Sequence, residues 1–135
     1  MRQNIMHIAI VVRDYDEAID FYTRKLHFTL TQDTRLSETK RWVLVTPPGG
    51  SGCSLLLAKA ANDQQQSSIG NQTGGRVFLF LQTDNFKRDY QNLLDQQIKI
   101  VREPAVEAYG TVAVFEDLYG NLWDLIEPNA AAENR

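Results

Sequence analysis

Cysteine is nearly missing from this chain: Cys53 stands alone among 135 residues. An intramolecular disulfide is therefore excluded, and a reducing, cytoplasmic setting is expected. No apolar run approaches the roughly 20 residues of a membrane span, and no charged-then-apolar leader pattern opens the chain. Excess charge of either sign is also missing. Fourteen Lys and Arg against 17 Asp and Glu give a net charge of −3, which leaves no basic footprint for nucleic acid or an anionic membrane. GxSxG, CxxC, HExxH and Walker patterns do not occur, so the common nucleophile, redox, zinc and phosphate signatures drop out. What remains is 43% hydrophobic and 23% charged residues, the composition of one ordinary globular domain.

The positive signal is a repeat. MHIAIVVRDYDEAIDFY (residues 6–22) is echoed about 70 residues later by RVFLFLQTDNFKRDYQNLL (residues 76–94). Each copy is an apolar strand, an Asp or Asn at the turn, and a helix with apolar residues three or four apart. In the first copy Asp14 is placed to cap the helix, with Glu17 completing a capping box. Tyr15, Ala18, Ile19, Tyr22 and Leu26 form its buried stripe. Strands are expected at 5–12, 28–33, 41–46 and 53–58, the last two joined by the PPGGSG turn. Residues 59–75, with QQQSS and GNQTGG, read as a linker loop. The second module, about 76–128, is expected to hold strands at 77–83, 98–102, 111–116 and 122–127. Its helix shows one face of Phe86, Tyr90, Leu93 and Leu94, Pro104 ends the second strand, and the DLYGN turn joins the last two. A short tail, 129–135, closes the chain. Many strands and few helices give an α+β architecture of two βαβββ modules.

The repeat, the FYTRKLHF run after the first strand and the ending EDLYGNLWDLIEP together resemble the vicinal oxygen chelate superfamily. That group holds glyoxalase I, fosfomycin- and bleomycin-resistance proteins and extradiol dioxygenases. The resemblance covers residues 5–128. It implies a single domain of paired βαβββ modules curling into a half-open barrel around a pocket, usually in a homodimer. In metal-dependent relatives it also implies a divalent ion (Zn, Ni, Fe or Mn) that chelates two adjacent substrate oxygens. The scaffold serves isomerisation, ring cleavage, nucleophilic addition and ligand sequestration alike, so the resemblance does not fix a reaction.

Carried over residue by residue, the implied metal positions fall on His7, near Leu56, on Phe78 and on Asp124. Leu56 and Phe78 offer no lone pair. One imidazole and one carboxylate fall short of the three protein ligands such ions need. Gln82, Glu103 or Tyr109 would have to complete the set. No cofactor is therefore expected, with a divalent metal on His7 and Asp124 as the alternative. His27, at the end of the first helix, where relatives often carry glycine, reads as a C-terminal cap or a surface residue.

Strand alternation places His7, Ala9 and Val11 on one face, and Arg76, Phe78, Phe80 and Gln82 on the corresponding face of the second module. Leu56 and Asp124 join them if the family geometry holds, and Trp42, Leu44 and Thr46 add a wall. Tyr109 is a candidate phenol at the pocket mouth. This lining suits a small organic ligand; alternatively the aromatics simply fill the barrel. His7 and Asp124 are the catalytic candidates, a base oriented by a carboxylate; the other reading is an internal pair without chemistry. Three functions follow: a small-ligand binding protein without a full metal site, a metal-dependent lyase or dioxygenase, and a non-catalytic dimeric binding protein. Neither nucleic acid nor membrane is expected as a partner.

Overall fold

The computed structural model describes residues 1–50 and 52–129; residues 130–135 of the expected tail lie outside them. The chain divides into two compact units, residues 1–70 and 71–135, and each carries one four-stranded sheet.

The first unit opens with β1 (His7–Val12) and α1 (Tyr15–Asp20), which runs on as a π-helical turn, Phe21–Lys25. Asp14 caps α1 as its sequence predicts: Oδ2 accepts the Glu17 N–H at 3.0 Å. Three strands follow, β2 (Thr29–Arg35), β3 (Arg41–Thr46) and β4 (Ser54–Lys59). They are ordered β1-β4-β3-β2, with β1 and β4 parallel and the other pairs antiparallel. Period-two alternation sorts the side chains. Ile10, Val12, Val43, Val45, Leu55 and Leu57 are buried together with Ala18, Phe21 and Tyr22 of the helix. Each large aliphatic among them contributes roughly 1.5–3 kcal/mol. The opposite face carries His7, Ala9, Leu56, Ala58, Leu44 and Trp42, as the registers Ala9↔Leu56, Val11↔Ala58 and Leu44↔Leu56 require.

Two expectations change here. Phe28 is not the first residue of β2; it is a buried side chain whose N–H bonds the Tyr22 carbonyl at 2.9 Å, after His27 takes a left-handed φ of 62°. The stretch read as a linker contains α2 (Asp63–Ser68). Asn62 Oδ1 accepts from Gln65 N, and Gln65 Oε1 accepts from Ala61 N, a cap closed from both ends.

The second unit repeats the order: β5 (Val77–Gln82), α3 (Phe86–Asp95), β6 (Ile100–Glu107), β7 (Gly110–Glu116) and β8 (Leu122–Pro128). Its sheet runs β5-β8-β7-β6, again with the outer and second strands parallel. Phe115 and Trp123 stack at 5.9 Å and are buried with Ala113, Leu125, Phe86 and Leu93. Pro104 does not end β6. The strand continues to Glu107, and the ladder to β7 shifts register between Arg102 and Ala105. A proline on an edge strand at a bulge removes no needed hydrogen bond. Asp117 fixes the DLYGN turn: its buried carboxylate accepts from Tyr119 N, Asn121 N and Asn121 Nδ2 at 2.9–3.0 Å.

Candidate functional site

Within the first unit, the face of the sheet away from α1 brings His7, Trp42 and Leu56 together. The His7 and Trp42 rings meet edge to face, with centroids 6.2 Å apart. His7 Nδ1 is buried and has no hydrogen-bond partner among the described residues. Beside it runs a strip of hydroxyls, of which the sequence singles out only Thr46. Thr31 Oγ1 donates to the Leu44 carbonyl and lies 3.1 Å from Thr46 Oγ1, which is 2.8 Å from Ser54 Oγ. Since each hydroxyl has one proton, Thr46 donates to Thr31 and Ser54 to Thr46, leaving the Ser54 lone pairs open beside His7.

Trp42, Leu56 and Ala58 also line a cavity of about 610 Å³, whose rim includes Tyr15, Arg41 and Lys59. Arg41 is the fixed part of that rim. Its guanidinium holds both oxygens of Asp33, at 3.1 and 2.7 Å, and Asp16 at 2.9 Å. It lies 5.1 Å from the centre of the Tyr15 ring, and the Tyr15 hydroxyl accepts from the Arg41 N–H. Hydrogen bonds from Arg41 hold the Asp33 carboxyl below the usual carboxylate range. The same bonds raise the Arg41 pKa further, so this charge is permanent. The apolar stripe marks Tyr15 only as core, and nothing in the spacing of Arg41, Asp33 and Asp16 marks them as a cluster. Gln65 of α2 was findable, because Asn62-x-x-Gln65 is a capping pattern.

In the second unit, Phe80, Asp124, Val114 and Arg102 form one row across the sheet by register. Phe80 is 66% exposed. Asp124 Oδ1 is buried with no hydrogen-bond partner among the described residues. Burial pushes this carboxyl above the ordinary Asp range, against the opposing pull of Arg102. Glu127 lies on the other face, where its carboxylate accepts the Phe86 N–H at 2.7 Å. Gln82 is exposed at the end of β5. Phe78 sits where the β5–β8 ladder slips register between Val77 and Leu79. Arg76 precedes β5 in a bend, and Tyr109 is 51% exposed in the β6–β7 turn.

The metal of metal-dependent relatives finds no matching donor set here. Leu56 and Phe78 contribute hydrocarbon, and no three His, Cys, Asp or Glu side chains cluster among the described residues.

Residues 4–125 match the sequence model of the Glyoxalase/Bleomycin resistance protein/Dioxygenase superfamily. An uncharacterised protein of Shewanella frigidimarina (strain NCIMB 400) is 62% identical over 130 residues, 96% of each chain. The crystal structure of UcmS2 superposes with a TM-score of 0.81 at 30% identity, covering 94% of this chain and 99% of that one. TnmS3, an antibiotic binding protein from Streptomyces sp. CB03234, gives 0.75 at 25% identity, with 95% and 98% covered. With nearly the whole chain matched in sequence and in fold, this protein belongs to the glyoxalase/bleomycin resistance protein/dioxygenase superfamily.

Proposed function

We propose that the chain is a binding protein for a small planar organic ligand, held against Trp42 where β3 begins and β4 ends, without a divalent metal. The observation that carries this reading is the cavity of about 610 Å³ beside Trp42 and Leu56, within the size range of small-molecule sites. An aromatic wall with a few hydrogen-bonding groups orients a flat ligand by stacking rather than by coordination. The likeness to TnmS3, an antibiotic binding protein, supports sequestration over turnover. A homodimer in the cytoplasm belongs to the same proposal, and sedimentation velocity tests the dimer.

The two tryptophans make the test direct. Trp42 borders the cavity, whereas Trp123 is buried on Phe115 in the other unit. A planar ligand quenches the emission of the native protein in a saturable way and raises its Tm by mass action. In Trp42→Leu both responses are lost while the circular dichroism spectrum is kept. Undiminished binding by Trp42→Leu overturns the reading.

A further inference from the structure

We infer that the ligand of this cavity is an organic acid, a planar apolar body bearing one anionic group, a conclusion that rests on the binding reading above. Every ionisable lining group other than the phenol Tyr15 is cationic: Lys40, Arg41 and Lys59. Their states differ. Arg41 is held by both Asp33 and Asp16, so its charge is more than balanced and that cluster carries one net negative charge. Lys40 and Lys59 are exposed, and neither has a carboxylate within salt-bridge distance among the described residues. Asp33 and Asp16, the acids beside the rim, are bonded to the arginine, and neither forms an ion pair with a lysine among the described residues.

The cavity thus has an apolar side of Trp42, Leu56 and Ala58 and two lysines without a carboxylate partner among the described residues, which leave its surroundings at one net positive charge once Arg41, Asp33 and Asp16 are included. A neutral ligand leaves both ammonium groups without a counterpart, and a cationic one meets repulsion. An anionic group on an aromatic body satisfies both sides at once. The lysines sit in solvent, so their attraction is screened by salt and amounts to a moderate gain in affinity. That gain selects among ligands of the same shape.

The experiment compares 1-naphthoate with its uncharged relative 1-naphthamide, reading Trp42 emission in the native protein, the double variant Lys40→Glu/Lys59→Glu, and Lys87→Glu. Lys87 lies on α3 in the other unit, outside the cavity, and its reversal controls for half of the double variant's change in net charge. The expected result is tighter binding of naphthoate than of naphthamide. That preference falls about tenfold in the double variant, shrinks in high salt, and is untouched by Lys87→Glu. Equal affinity for the two probes, or a preference that survives in the double variant, overturns the acid inference and leaves planar-ligand binding standing. If neither probe perturbs Trp42 at millimolar concentration, the binding reading falls and takes this inference with it.

Discussion

Asp124 carries a buried carboxyl oxygen without a partner among the described residues, and its cost depends on pH. Burial raises its pKa in the folded protein above the value of 3.8 it has when unfolded. The native state therefore holds the proton more tightly than the unfolded chain. The stability linked to this site is complete below pH 3.8 and drains away as pH rises through the folded pKa. Asp124→Leu removes the charge and the orphaned oxygen together. Its expected effect is a higher Tm at about pH 7 and a gain that shrinks toward about pH 3.5, read by thermal melts across that range. Gly110 shows the opposite constraint. It takes φ 156°, and an added Cβ would lie 2.4 Å from the Glu127 carbonyl oxygen. Gly110→Ala forces the β7–β8 pairing apart and should cost about 3 kcal/mol, visible as a lower urea midpoint. Composition marks neither residue. Asp124 was legible only through the family resemblance, and the need for glycine at 110 arises from a strand distant in sequence.

At the scale of elements, the helix ends repeat as closely as the strands do. α1 and its π turn end at His27 with φ 62°, and α3 ends at Gln97 with φ 59°; a buried apolar residue, Phe28 or Ile98, follows each. After α3 the Ile98 N–H bonds the Leu93 carbonyl and the Gln97 N–H the Leu94 carbonyl, a left-handed helix stop that glycine serves best. Replacing Gln97 with glycine should stabilise the fold by about 0.5–1 kcal/mol, the relief of left-handed strain less the entropy of a freer unfolded chain. Denaturant titration checks it, and a destabilised variant would show that the glutamine side chain has a packing role. The helices and central strands were legible because their apolar spacing is regular. Pro104 misled, since local propensity alone cannot tell an edge strand with a bulge from a strand end. The helix in residues 63–68 was hidden by its polar sequence: its residues bury little, so only the Asn62 cap marked it.

For the molecule as a whole, the family is settled and the metal question turns on donors. A site of the metal-dependent kind needs three or four ligands, and the positions implied by the resemblance supply His7 and Asp124 with Leu56 and Phe78 between them. Protein purified without chelators is expected to carry substoichiometric metal, and EDTA should shift its Tm by less than about 1 °C. Stoichiometric metal whose removal lowers Tm would reverse the proposal of a metal-free site.

The sequence by itself determined the twofold βαβββ plan, the cap at Asp14, and the apolar faces of α1 and α3. Those features follow from local periodicity and from side chains that bond their own backbone. Only the tertiary structure decided which residues share the cavity beside Trp42. Register across β1, β4 and β3 sets Leu56 against Ala9 and Leu44, and Arg41 reaches Asp16 and Asp33 from other elements. Partners brought together by strand pairing leave no periodic trace along the chain, because the hydrogen bonds that align them are made by backbone common to every residue.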